Sequence, residues 1–315
     1  MSKRALICGI SGQDGAYLSE FLLARNYEVV GTSRDAARAD LRNLGSRGVR
    51  DRVSIVSMNL TDFRSVLQIL DKVRPDEIYN LAGQSSVSLS FEQPIDTFNS
   101  ITVAALNLLE AIRFAGRPAK LYNACSSECF GDTGDSAANE ATPFRPSSPY
   151  ATGRAAAFWA VANYREAYGL NACSGILFNH ESPLRPEQFV TRKIVTAARR
   201  IAQGSRERLR LGTLSIVRDW GWAPEYVEAM WKMLQQDTPR DYVVATGEAH
   251  SLEEFVAEAF SALGLDWRPY VDIDKSLTRP ADPRAVRGDP RRIAAELGWR
   301  AQTRMPALVR KLIEA

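Results

Sequence analysis

The chain has 315 residues, 45% hydrophobic and 24% charged, the balance of a soluble globular protein with room for one large α/β domain or two modest ones. Its 40 basic and 37 acidic residues leave a net charge of +3, too small to argue for nucleic acid. No stretch approaches the roughly 20 apolar residues of a membrane helix, and the run after Met1-Ser2-Lys3-Arg4 meets glycine too soon for a signal peptide, so a cytoplasmic location is the default expectation.

Short apolar runs at Ala5–Gly9, Glu28–Gly31, Val53–Ser57, Glu77–Leu81 and Lys120–Ala124 read as buried strands. Between them, Tyr17–Ala24, Phe63–Val73 and Ile101–Phe114 carry apolar residues at helical spacing. Tyr150–Tyr168 reads as a further helix and Ala172–Leu177 as a further strand. This alternation predicts a Rossmann-type doubly wound parallel α/β sheet covered on both faces. Beyond Phe178 prolines and arginines become dense, and short helices such as Tyr226–Leu234 and Leu252–Leu263 are interspersed. The expected division is a dinucleotide-binding domain over 1–178 and a smaller α/β substrate domain mainly over 179–315, some of whose segments return to the first. The four cysteines, Cys8, Cys125, Cys129 and Cys173, lack a metal-type cluster and read as small buried apolar side chains in a reducing compartment.

Gly9-Ile10-Ser11-Gly12-Gln13-Asp14-Gly15 follows the first strand and opens a helix. A dinucleotide pyrophosphate must approach backbone amides at a helix N-terminus, where side chains would block it. The spacing, Gly-x-x-Gly-x-x-Gly, differs from the Gly-x-Gly-x-x-Gly fingerprint. At the end of the second strand a carboxylate would favour NAD, whereas Ser33 and Arg34 suit the 2′-phosphate of NADP; NADP is favoured, with Asp35 the counter-argument. Asn59 and Leu60 follow the third strand, where a polar residue can reach adenine and Asp62 can cap the next helix. Leu81, Ala82 and Gly83 follow the fourth, where small residues let a cofactor pack against backbone.

Tyr150 and Arg154 are one helical turn apart and share a face. A free tyrosine, with a pKa of about 10, is too weakly acidic to serve as a base at neutral pH, but a neighbouring cation stabilises its anion. Ser126 and Glu128, two residues apart in an extended segment, would lie on one side and add a second proton-transfer group.

Together the glycine turn, Asn80-Leu81-Ala82, Ser126-Ser127-Glu128 and the tyrosine helix resemble the extended short-chain dehydrogenase/reductase superfamily. Phe178-Asn179-His180-Glu181-Ser182-Pro183, Phe189-Val190-Thr191-Arg192-Lys193, Arg218-Asp219-Trp220-Gly221 and Tyr226-Val227-Glu228-Ala229-Met230-Trp231 narrow the likeness to the GDP-mannose 4,6-dehydratases, over nearly the whole chain. The resemblance implies a GDP-sugar held over NADP in a homodimer or homotetramer. It implies that Tyr150 takes the C4 hydroxyl proton, that Ser126 bonds the C4 oxygen, and that Glu128 removes the C5 proton as water leaves from C6. Hydride taken from C4 returns to C6, giving a 4-keto-6-deoxy sugar. Ser85, Asn179, Glu181, Lys193, Arg218 and Arg279 fall in segments that would hold the sugar and diphosphate, with arginine–phosphate forks apt for the latter. The basic stretch from Arg34 to Arg50 would reach a neighbouring subunit. No metal is expected.

The chain departs from the family pattern at several positions. Arg154 stands for lysine, Ser86 and Trp222 for histidine, Thr213 for asparagine and Asp282 for glutamate. Arginine keeps the charge but is wider and more diffuse than an ammonium. The rivals are therefore a nucleotide-sugar 4-epimerase or 4-keto reductase on the same scaffold, and a catalytically silent NADP-binding protein.

Overall fold

The computed structural model describes residues 2–116 and 118–315. Its centre is a parallel sheet of seven strands: β1 (Arg4–Cys8), β2 (Glu28–Ser33), β3 (Ser54–Ser57), β4 (Glu77–Asn80), β5 (Lys120–Ser126), β6 (Ala172–Leu177) and a late arrival, β10 (Tyr242–Val244). The spatial order is β3-β2-β1-β4-β5-β6-β10. Chain direction of build-up reverses between β1 and β4, so a crevice opens beyond the carboxyl ends of those two strands.

Residues alternate across β1. Ala5 and Ile7 join a buried cluster with α1 (Gln13–Leu23) and α9 (Ala223–Leu234). Leu6 and Cys8 join another with α3 (Phe63–Val73), α6 (Ala104–Ala115) and α7 (Pro149–Tyr168). Burial of successive residues on opposite faces is what a sheet covered by helices on both sides demands. The fold is thus a doubly wound α/β sheet.

Element ends differ from the sequence reading where polar residues do backbone work. Helix α1 starts at Gln13 rather than Tyr17, because the polar first turn carries no apolar signal. Strands β2 and β5 run on through Ser33 and Ser126. Helix α6 is shorter than expected at its start, since a π-helical turn, Asn99–Val103, links it to α5 (Pro94–Phe98).

After β6 the chain forms a second sheet. Strand β9 (Val217–Trp222) pairs with β7 (Asn179–Glu181), with β11 (Ala249–Ser251) and with β13 (Ala285–Val286). A two-stranded ribbon joins β8 (Leu209–Leu211) to β12 (Val271–Ile273). Helices α8 (Val190–Ala202), α10 (Leu252–Ser261) and α12 (Ala307–Glu314) bury Ile194, Phe255, Phe260 and Leu308 together. The remaining short helices are α2 (Arg42–Ser46), α4 (Val87–Glu92) and α11 (Arg291–Leu297). No described helix is long and apolar enough to cross a membrane.

Candidate functional site

The glycine turn sits at the reversal point of the sheet. Gly9 has φ +85°, and a Cβ there would lie 3.0 Å from the backbone of Leu81 and Ala82. At Gly15 a Cβ would fall 2.6 Å from the Gly9 carbonyl. Both therefore let the turn close upon itself and upon the chain after β4. At Gly12 only the Gly9 oxygen lies within 4 Å of a would-be Cβ, at 3.4 Å, so its outer side is open. Among the described residues no side chain caps α1, and its first amides are left for an external acceptor. An open turn and an uncapped helix start fit a dinucleotide pyrophosphate.

The side chains of Gln13 and Asp14 turn to the second sheet instead. Gln13 donates to the His180 carbonyl at 3.1 Å and accepts from Ser182 Oγ at 2.8 Å. Asp14 Oδ2 lies 2.9 Å from His180 Nε2. Burial acts to raise the Asp14 pKa, but the charge and hydrogen bond of His180, the hydrogen bond of Gln13 and the charge of Arg185 together hold the carboxyl below its ordinary value.

Around the same crevice, Arg34 is exposed just past β2, and among the described residues it has no hydrogen-bond or ion-pair partner. Asn59 is exposed too, and its Oδ1 accepts from both the amide and hydroxyl of Thr61. The Leu60 carbonyl accepts from Asn107, while Asp62 caps α3 by accepting from the Arg64 amide. Leu81 and Ala82 are half-buried; Gly83 and Ser85 are exposed. Ser86 caps α4, accepting from the Leu89 amide at 3.3 Å.

One strand over, β5 ends at Ser126, and Ser127–Phe130 form a tight 3-10 turn rather than the extended segment expected from sequence. Ser126 Oγ accepts from the Glu128 amide at 3.3 Å, which starts the turn, and Gly131 at φ +69° ends it. The hydroxyl hydrogen of Ser126 remains available to an oxygen in the crevice. The turn is bound to α7: Cys129 Sγ donates to the Ala151 carbonyl at 3.5 Å. Helix α7 itself starts with Ser148 accepting from the Ala151 amide at 3.1 Å and with Pro149 in its first turn.

Tyr150 and Arg154 are both buried on the resulting face. The Arg154 guanidinium carbon lies 5.4 Å from the Tyr150 ring centroid. Nη1 donates to the Ala124 carbonyl at 2.8 Å, and Nη2 lies against Gly83. The Nε of Arg154 is buried without a partner among the described residues. Glu128 is buried as well, with its carboxylate 4.0 Å from Arg218 Nε. The two ends of β5 and α7 thus bring a hydroxyl, a carboxylate, a phenol and a cation to one region of the molecule.

Residues expected to face the substrate are divided. Asn179 starts β7 opposite Trp220. Glu181 is buried, accepting from Thr191 Oγ1 at 2.6 Å and paired with Arg185 at 3.4 Å, so one of its oxygens is engaged inside the protein. Lys193 donates to the Arg210 carbonyl. Arg218 is almost fully occupied: it donates to the carbonyls of Val217 and Pro283 and, at 2.8 Å, to Asp282. Arg279 lies 3.7 Å from the same carboxylate. At Asp219, the next residue after Arg218, burial pushes the carboxyl up to about 6, against hydrogen bonds from Thr246 and Gly247.

Sequence reading assigned no role to His180 or Asp282. Asp282 is signalled only as a departure from a family pattern. His180 had a plainer sign, being one of just two histidines in the chain.

A family model described as GDP-mannose 4,6 dehydratase matches residues 6–312. GDP-mannose 4,6 dehydratase 2 of Arabidopsis thaliana is 48% identical, over 99% of this chain and 86% of that protein. A GDP-mannose 4,6-dehydratase of Vibrio cholerae is 42% identical, over 95% of this chain and 90% of its own length. Among solved structures, UDP-glucose 4-epimerase of Thermus thermophilus in complex with NAD superposes with a TM-score of 0.87 at 28% identity, covering 99% of this chain and 98% of that one. A dTDP-glucose 4,6-dehydratase of Bacillus anthracis has the same fold, with a TM-score of 0.87 at 18% identity, covering 99% of this chain and 96% of that one. The chain belongs to the GDP-mannose 4,6-dehydratase family, nucleotide-sugar 4,6-dehydratases of the short-chain dehydrogenase/reductase superfamily.

Proposed function

We propose that the protein dehydrates a GDP-hexose, GDP-mannose first among them, to its 4-keto-6-deoxy derivative, with NADP as cofactor. A bound nicotinamide would supply the hydride-transfer chemistry that the side chains lack. The protein does the rest. Ser126 donates to the C4 oxygen, and Tyr150 accepts the C4 hydroxyl proton while Arg154 stabilises the phenolate. Once C4 is a ketone, C5 is acidic; Glu128 removes its proton and delivers one to the departing C6 hydroxyl. Arg218, fixed by Asp282, keeps a positive charge near Glu128.

The preference for NADP rests on Arg34, exposed and unpartnered among the described residues just past β2, where a 2′-phosphate would meet it. In this reading residues 1–178 hold the cofactor and mainly 179–315 the sugar nucleotide. Lys193 and Arg279 serve the diphosphate, and Ser85, Asn179 and Glu181 border the sugar. Assembly as a homodimer or homotetramer and a cytoplasmic location belong to the same reading.

The observation that carries it is Glu128: a buried carboxylate beside Ser126, in a turn bonded to the tyrosine helix. A 4-epimerase or a 4-keto reductase has no use for a base at C5. The test is mass spectrometry after incubation with GDP-mannose in deuterium oxide. Loss of one water with deuterium carried into the product is expected. An unchanged mass with a new stereoisomer would remove dehydration in favour of epimerisation.

A further inference from the structure

His180, on β7, is buried between two acceptors. Its Nδ1 lies 2.8 Å from the Phe178 carbonyl and its Nε2 2.9 Å from Asp14 Oδ2. Neither neighbour has a proton to give: a carbonyl never does, and an ionised carboxylate does not. A neutral imidazole carries one N–H and satisfies one of them; an imidazolium satisfies both. The ring stacks on Tyr226 of α9, with centroids 4.7 Å apart and planes 19° apart.

The charged and titratable surroundings can be named element by element. Asp14 faces the ring from α1, Tyr226 from α9, and Arg185, just past β7, opposes it with like charge. Glu181, the next residue, is turned to Thr191 and Arg185. From β9 the register partner is Gly221, which carries no charge.

Asp14 stands in the first turn of the uncapped helix that opens behind the glycine turn. Alone, its carboxylate would repel a dianionic pyrophosphate placed at that helix start. We propose that His180 is a positioning residue for dinucleotide binding: as an imidazolium it neutralises Asp14 and pins the glycine turn to β7, so that cofactor affinity depends on its protonation. The inference rests on the reading that the turn takes a nicotinamide dinucleotide.

The direction of the pH effect follows. Burial acts to lower the His180 pKa, but the charge and hydrogen bond of Asp14, with the hydrogen bond to the Phe178 carbonyl, together raise it above the ordinary 6.5. The imidazolium's contribution is therefore complete below that ordinary value and is lost as pH rises through the raised one. The Asp14 pKa is lowered, so the carboxylate end fails only in acid, below the ordinary carboxyl range. By reciprocity, bound dinucleotide raises the His180 pKa further.

With two histidines in the chain, imidazole NMR is uncluttered, and a His250→Gln variant assigns the signals. The His180 ring in the free protein should titrate above 6.5 and move higher when NADP is added. By calorimetry, NADP binding to the natural chain should weaken about tenfold between about pH 6 and about pH 9. Asp14→Asn should abolish that slope. His180→Gln should bind weakly throughout, and adding Asp14→Asn to it should bring affinity back to within about threefold of the natural chain. A ring that titrates at or below its ordinary value, or ignores the cofactor, overturns the proposal. So does a double variant no better than His180→Gln, since lost packing would not be rescued by removing a charge. If the natural chain binds neither NADP nor NAD at any pH, the cofactor reading falls and takes the inference with it. Binding without a pH slope sinks the inference alone.

Discussion

Arg154 is a buried cation without a carboxylate partner among the described residues. Burying an unpaired charge is costly, and a fold keeps one only where an anion or a set of dipoles meets it. Here the Ala124 carbonyl takes one N–H, and Nη2 lies beside Gly83, whose φ of +116° and closeness to the Ser100 carbonyl call for a glycine. A side chain at position 83 would sit 3.5 Å from Nη2. In the proposed reading the missing anion is the Tyr150 phenolate, the form that accepts the C4 hydroxyl proton. If so, Arg154→Lys should keep kcat/KM within about tenfold of the natural chain, because the charge stays beside the ring. Arg154→Met should lower it at least about a hundredfold, because the charge beside the ring is then gone. Steady-state kinetics with GDP-mannose decide it. Activity that appears only in Arg154→Lys would show the natural chain to be a binding protein.

The glycine turn and α1 act as one element, and its glycines have separable duties. Gly9 answers to the fold, with its positive φ and a Cβ position 3.0 Å from the backbone after β4. Gly12 has φ −75° and open space outside it. Gly9→Ala should therefore destabilise by about 2–4 kcal/mol, combining left-handed strain with displacement of a neighbouring backbone. Gly12→Ala should stay within about 0.5 kcal/mol of the natural chain in urea unfolding, yet weaken dinucleotide binding because its methyl group stands where the pyrophosphate approaches. Equal loss of stability in both would contradict this division. Much of this element was legible in the sequence, because apolar runs such as Ala5–Cys8 and the spacing of three glycines are local signals. What was not legible is how its side chains are engaged. Gln13 and Asp14 reach His180 and Ser182 across more than 160 residues of chain, and no periodicity encodes such a contact. Likewise the sequence pointed to Arg218 as a diphosphate ligand, while the folded chain surrounds its guanidinium with Val217, Pro283 and Asp282. Residue type announces what a side chain can bind, and only tertiary structure determines what it has already bound.

At the scale of the molecule, segments beyond residue 178 complete the first sheet and its core. Strand β10 completes the parallel sheet by pairing Tyr242–Val244 with Gly175–Leu177 of β6. Asp241, just before it, holds Arg165 of α7 and the Ser174 amide. Helix α9 places Tyr226, Val227, Met230, Met233 and Leu234, none more than 1% exposed, in the cluster that also contains Ile7, Leu18 and Leu22. Exposing each large apolar side chain forfeits about 1.5–3 kcal/mol, so baring the side of that cluster covered by α9 removes an amount comparable to the whole stability of a typical domain, about 5–15 kcal/mol. A fragment of residues 1–178 should accordingly lack a cooperative thermal transition and bind a dye for exposed apolar surface. Mixed with a fragment of 179–315, it should regain both the transition and dinucleotide binding, because the missing strand and helix arrive with the second piece. Circular dichroism melts of each fragment and of the mixture provide the measurement. A 1–178 fragment that melts cooperatively and binds the dinucleotide as tightly as the intact chain would show that the first half folds without β10 and α9. The shared core would then be a docking contact between two finished domains.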